Sequence, residues 1–435
     1  MKVTVYGLWH LGCVTAACLA AAGNEVVGLD PDEDVVRGLR DGRPPLEEPG
    51  LAERIAACLA AGRLTFTTDA GSALRGTEVV WVAFDTPVDH GDEADVRWVR
   101  SRFEAIAGLI PDGTLVLVSS QVPVGFTARL ERDWPAPRIR FAYSPENLRL
   151  GQALQSFDRP DRVVVGVRRD ADRVVVADLL RPFTTRVEWM SIESAEMTKH
   201  ALNAFLATSV AFANEVARVC EAVGADAKEV ERGLKSEGRI GPRAYLCAGA
   251  AFAGGTLARD LRFLAGLGRG RGIATPLLHG VLESNDRHKA WLQEKVRAAL
   301  GEGRQAVAAI LGLTYKPGTS TLRRSASVEL VRWLRGRGVS VRAHDPAVAT
   351  LPAEMKDLEV VLCASAKEAL TGADVAVVAT EWPDYRSLGA EDFVRAMRRP
   401  CVVDPSGFLA DLIAPEPRII YVATGRASSG SGAKQ

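Results

Sequence analysis

Residues 194–224 constrain this chain more than any other stretch. They read SAEMTKHALNAFLATSVAFANEVARVCEAVG, with no proline and no glycine before Gly224. Apolar side chains recur at helical spacing at Met197, Ala201, Phe205, Phe212, Val216, Val219 and Val223. Ser194 suits the N-cap and Gly224 the stop. The expected helix has about 29 residues and is roughly 45 Å long at 1.5 Å per residue. Few globular domains need one that long, so it is expected to link two domains or join two subunits. Lys199 and Asn203 lie four apart near its start, on one face. An ammonium and an amide facing the same way can hold a sugar hydroxyl or an oxyanion. Taken without other context, the pair reads as a solvated face.

The length, 435 residues, suggests roughly three domains. Lys plus Arg equals Asp plus Glu at 54 each, which gives no electrostatic case for nucleic acid or an anionic membrane. Seven cysteines lie scattered without CxxC or Cys/His metal spacing, so reduced thiols, a cytoplasmic location and no metal are expected. Met1 leads straight into a strand, so no signal peptide is visible. No apolar run approaches the ~18 residues of a membrane span. The tail from Arg426 to Gln435, RASSGSGAKQ, reads as disordered.

The chain opens on a buried strand, Lys2 to Gly7. A helix from about Leu11 to Ala22 follows, and then the strand Glu25 to Asp30. Strand, glycine turn, helix, strand and acid make the dinucleotide-binding plan, with Asp30 placed for the ribose hydroxyls of NAD. The turn reads Gly7-Leu8-Trp9-His10-Leu11-Gly12. It keeps the outer glycines of GxGxxG but has Trp9 in the middle, where glycine normally lets backbone approach the pyrophosphate. The indole must therefore swing aside, or the dinucleotide sits differently or is absent.

Further strands are expected at Leu64 to Thr68, Glu78 to Phe84, Thr114 to Ser120 and Asp161 to Val167. Phe84-Asp85-Thr86-Pro87 and Gln121-Val122-Pro123-Val124-Gly125 fall at the carboxyl ends of two of them, the edge where open α/β sheets bind ligands. Glu146 lies just past another strand, as a base, a water-orienting carboxylate or a helix-start acid. Residues 225–288 read as mostly helical, broken by a glycine-rich run from Gly238 to Leu267. Within it Asp260 could orient a water or the Lys199 ammonium, or pair with Arg259 or Arg262. From about Gln305 the plan of the first lobe returns: VSVRAHDPA parallels EVVGLDPD, without a glycine fingerprint. Lys316, Arg323 and Arg324 follow its first strand and suit a nucleoside diphosphate.

The fold expected is α/β: two Rossmann-like, doubly wound lobes joined by a long central helix. The boundaries are residues 1–193, 194–300, 301–425 and a tail, 426–435.

EEPGL, QVPVG, SPENLRLG, PDRVVVG, AEMTKHALNAF, RIG and LGLTYKP follow in order over about residues 1–410. In these motifs the chain resembles the nucleotide-sugar dehydrogenases, typified by UDP-glucose 6-dehydrogenase. The resemblance implies NAD in the N-terminal lobe, the nucleotide of a UDP-sugar in the C-terminal lobe, and a homodimer through the long helix. It also implies oxidation of the sugar C6 alcohol twice, through an aldehyde, to a carboxylate. It assigns catalysis to Glu146, Lys199, Asn203 and Asp260, with Thr256 at the nucleophile position. Cofactor contacts are implied at Gly7, Trp9, His10, Leu11, Gly12, Asp30, Thr86, Gln121 and Glu146. Substrate contacts are implied at Phe252, Gly255, Lys316, Arg323 and Arg239, the last reaching across the subunit interface.

The chain departs from the family where the chemistry is most demanding. A phenylalanine-glycine-glycine-serine-cysteine run carries the family's nucleophile; here Phe252-Ala253-Gly254-Gly255-Thr256 stands in its place. The second oxidation needs a thiolate, and a thiol ionises near pH ~8.5, far below an alcohol. Cys247 lies upstream in the same loop. Trp9, Asp85, Ser406 and a residue inserted near Ala244 are further departures. Three functions follow: an NAD-dependent oxidoreductase on a UDP-sugar that stops after one hydride transfer, a full four-electron dehydrogenase giving a uronate, or a nucleotide-sugar-binding protein without redox activity.

Overall fold

The computed structural model describes residues 1–87, 94–146, 148–253, 256–301, 306–323 and 325–426. It divides into two compact units, Met1–Leu202 and Asn203–Gln435.

Among the described residues, the first unit is built on eight strands: β1 Lys2–Tyr6, β2 Glu25–Leu29, β3 Leu64–Thr67, β4 Val79–Val82, β5 Thr114–Val118, β6 Ile139–Tyr143, β7 Val163–Val167 and β8 Val187–Met190. Their order is β3-β2-β1-β4-β5-β6-β7-β8, parallel throughout except for the β6–β7 pair. Helices cover both faces, so the strands are apolar on both sides and read as continuous runs. Alternate residues feed opposite cores. Val79, Trp81, Leu115 and Leu117 pack into one. Val80, Val82, Val116 and Val118 pack into the other.

The second unit carries β9 Val307–Leu311, β10 Ser340–His344, β11 Val361–Leu362, β12 Val375–Val378, β13 Cys401–Val403 and β14 Ile420–Val422. The order β11-β10-β9-β12-β13-β14 repeats that of the first six strands, and every pairing is parallel. The two doubly wound lobes expected from the sequence are present.

The central helix runs from Ile192 to Val223, 32 residues. It starts ahead of the expected N-cap: Ser194 lies inside, and its amide donates to Ser191 Oγ at 3.2 Å. The helical spacing was legible, but the burial is reversed. Phe205 is 69% exposed, and Phe212, Val219 and Val223 are exposed with it. The buried side instead holds Glu196, Lys199, His200, Asn203, Ala204, Ala207, Ala211 and Asn214. Lys199 at 7% and Asn203 at 4% exposure are thus not a solvated face.

The glycine-rich run is shorter than expected. A helix, Thr256–Arg269, begins well before Leu267, and another runs from Pro276 to Leu300. All seven cysteines are free thiols; six are buried and Cys247 is exposed. Among the described residues, no helix is long and apolar enough to cross a membrane. The tail beyond residue 426 lies outside the described residues.

Candidate active site

The first loop of the N-terminal lobe is shaped by its outer glycines. Gly7 has φ +96°, and a Cβ there would lie 2.6 Å from the Phe84 ring. A Cβ on Gly12 would lie 1.7 Å from the Gly7 carbonyl oxygen, so only glycine lets the helix His10–Ala21 start this close to β1. The backbone at Trp9, φ −87° and ψ −152°, suits any residue. Its indole is 48% exposed and so stands clear of the core. Asp30 follows β2 and accepts from the Leu8 amide at 2.7 Å and the Asp32 amide at 3.0 Å. Two glycine-dependent close approaches, helix amides and a half-buried carboxylate fit a dinucleotide. The Leu11 side chain is buried in the core, so its backbone is the part that could meet a ligand.

The carboxyl ends of β4, β5 and β6 bring the next groups together. Thr86 Oγ1 donates to the Gln121 carbonyl at 2.6 Å. Lys199, from the central helix, donates to the Glu146 carbonyl at 2.6 Å and to its Oε1 at 3.1 Å. The Leu148 amide donates to Glu146 Oε2 at 2.9 Å. Glu146 is therefore not a helix-start acid; it is half of a partly buried ion pair that holds an ammonium at a fixed point.

In the second unit, Asn203 Nδ2 donates to Asp260 Oδ2, and both residues are buried. Thr256 is the exposed first residue of its helix, one turn before Asp260. Phe252 is buried, with its amide donating to Asn285 Oδ1 at 2.9 Å and its carbonyl accepting from Asn285 Nδ2 at 2.8 Å. Arg239 is exposed and pairs with Glu237 at 3.0 Å. Gly255 and Arg324 lie outside the described residues. Although Cys247 is exposed, partial desolvation by its loop raises its thiol above the ordinary value and Glu231 adds to this, so it is a poor thiolate.

The C-terminal lobe repeats the architecture of the first loop without its fingerprint. Gly312 has φ +98°, and a Cβ there would lie 2.4 Å from Thr380 Cβ. Lys316, half-buried, and Arg323, exposed, follow β9.

Sequence reasoning missed three buried polar residues. Glu48 accepts from the Gly151 amide at 2.9 Å, the Ala153 amide at 2.8 Å and His10 Nε2 at 2.9 Å. Glu196 accepts from the amides of Gly125 and Thr127 and from Thr127 Oγ1. Burial raises the Glu196 carboxyl despite these donors. His200 Nε2 lies 2.9 Å from the Val122 carbonyl. Glu196 and His200 are one turn apart and tie the Gln121–Thr127 segment to the central helix. Polar residues at i, i+4 inside a long helix were the available signal.

Three models of the UDP-glucose/GDP-mannose dehydrogenase family match in succession: the NAD binding domain over residues 1–184, the central domain over 193–287 and the UDP binding domain over 309–411. The chain is 35% identical over 422 residues to a UDP-glucose 6-dehydrogenase of Rhizobium meliloti, covering 93% of this chain and 94% of that one. It is 35% identical over 448 residues to the UDP-glucose 6-dehydrogenase of Pseudomonas aeruginosa, covering 99% and 98%. A UDP-glucose dehydrogenase from Pyrobaculum islandicum superposes with a TM-score of 0.84 at 30% identity, covering 98% of each chain. A UDP-D-ManNAc dehydrogenase from Pyrococcus horikoshii, at 24% identity, shares the fold with the same score and covers 98% and 99%. With an NAD-binding lobe, a UDP-binding lobe and this similarity along its length, the chain belongs to the UDP-glucose/GDP-mannose dehydrogenase family of NAD-dependent oxidoreductases.

Proposed function

We propose that this protein oxidises the alcohol of a UDP-sugar once and releases the carbonyl product. Bound NAD supplies the hydride acceptor. The Lys199 ammonium, held by Glu146, would stabilise the negative charge that develops on the sugar oxygen as its proton passes to solvent water and its carbon gives up the hydride. Asn203, held by Asp260, offers an amide to the same class of hydroxyl. Lys316, Arg323 and the Phe252 segment take the nucleotide and its diphosphate, and Arg239 contributes across a subunit interface. Lys316 and Arg323 follow β9, which supports their assignment.

The single oxidation is supported by the resemblance, which aligns Thr256 with the family's nucleophile. A threonine hydroxyl, unlike a thiol, stays un-ionised near neutral pH and is a poor nucleophile towards an aldehyde unless a base takes its proton. Cys247, with its raised thiol, is no substitute. The relatives named as UDP-glucose 6-dehydrogenases make UDP-glucose the first substrate to try, and the four-electron oxidation to a uronate is the second reading.

We further propose a cytoplasmic homodimer through the central helix. Phe205, Phe212 and Val219 recur every seven residues, with Val223 four further on, and all are exposed. That is a seam at coiled-coil spacing. The segments 1–193, 194–300 and 301–425 would be the NAD, dimerisation and UDP-sugar parts.

Incubation with NAD and a panel of UDP-sugars, with mass spectrometry of the products, tests the activity. An aldehyde or ketone supports the reading; a uronate replaces it with the four-electron reaction; no turnover with intact UDP-sugar binding leaves the non-redox binder.

A further inference from the structure

The Glu48 carboxylate joins two segments that lie far apart in the sequence. Its side chain is 1% exposed. One oxygen accepts from both His10 Nε2 and the Gly151 amide, each at 2.9 Å. The other accepts from the Ala153 amide at 2.8 Å, at the start of the helix Ala153–Asp158. His10 is the first residue of the helix His10–Ala21 and directly follows Trp9 in the dinucleotide loop. Gly151 and Ala153 close the segment that begins at Glu146. Lys199 fixes that segment at its Glu146 end and Glu48 at the other.

We propose that His10 and Glu48 are positioning residues, which couple occupancy of the dinucleotide loop to the placement of the Glu146 segment. A buried carboxylate is costly unless its lone pairs are filled, so the three donors stand or fall together. The imidazole N–H donates to the carboxylate whether the ring is neutral or charged, so the link orients rather than switches. Phosphates drawn to the amides at the start of the helix His10–Ala21 restrict His10. The shared oxygen passes that restriction to Gly151. The proposal rests on the assignment of NAD to this loop and on the role given to Glu146.

The test compares wild type with His10→Phe, which lacks the N–H, and His10→Gln, whose amide can replace it. NAD affinity is measured by calorimetry. Amide hydrogen exchange is followed in the peptide spanning residues 148–153, with and without NAD. In wild type, NAD slows exchange in that peptide. In His10→Phe, affinity falls about tenfold, the worth of one charge-assisted hydrogen bond, and the NAD-dependent protection vanishes. His10→Gln restores both, which a merely structural residue would not do. Undiminished NAD-dependent protection in His10→Phe overturns the proposal, as does unchanged affinity. A wild-type protein that binds no NAD overturns both the proposal and the cofactor assignment. Full turnover in Glu146→Gln with the coupling intact removes only the catalytic role of Glu146.

Discussion

The Leu8 amide donates to Asp30 Oδ2 at 2.7 Å, and the Leu313 amide repeats that bond to Asp345 Oδ2 at the same distance. In both lobes the acid ending the second strand ties down the loop that follows the first. The two acids then diverge. Asp345 is buried and also accepts from Thr314 N, Thr314 Oγ1, Trp382 Nε1 and Ala347 N. Asp30 is half-buried and accepts from two amides, so it retains acceptor capacity for a ribose. Asp30→Asn is expected to weaken NAD at least tenfold with little change in melting. Asp345→Asn is expected to cost about 1–3 kcal/mol of stability and to leave NAD affinity unchanged. Calorimetry and urea unfolding on the two variants separate these outcomes.

Lys199→Met removes the charge that Glu146 holds. Loss of between about a hundredfold and a thousandfold in kcat is expected, the usual scale for removing a preorganised donor to a developing negative charge. The melting temperature is expected to move by only a few degrees. Steady-state kinetics and calorimetry check the two parts.

Asn285→Ala leaves both the amide and the carbonyl of Phe252 without their side-chain partner. Denaturant unfolding is expected to show a loss of about 2–4 kcal/mol for two buried groups. The KM for UDP-sugar rises with it if Phe252 contacts substrate.

Acid destabilisation has an identifiable source in His288. Burial pushes its pKa below the ordinary 6.5. Its Nε2 lies 2.7 Å from the Gly249 carbonyl, and Nδ1 has no partner among the described residues. The sign follows from the lowered folded value. The stability contributed by neutral His288 is complete above the unfolded pKa and is lost as pH falls from 6.5 towards that lower value. The melting temperature of wild type is expected to fall as pH drops below 6.5, and His288→Gln to flatten part of that slope. Equal slopes in the two proteins would place the effect elsewhere.

How much was legible in sequence follows from the range of the forces involved. β1, β4 and β5 announced themselves because helices cover both faces, which demands unbroken apolar runs. The central helix was visible from its length and spacing. Its direction of burial was not, because Lys199 and Asn203 are buried by particular partners while Phe205 and Phe212 are left out. Glu48 stayed hidden in an EEPGL loop because its amide donors lie 103 and 105 residues away. The start of the helix at Thr256 was obscured by the glycines and alanines before it, which carry no periodicity.

The count of NADH formed per UDP-sugar consumed tests the central claim most directly. One NADH, with a carbonyl-bearing sugar nucleotide recovered, is the result expected with threonine at position 256. Two NADH and a clean uronate would contradict the account.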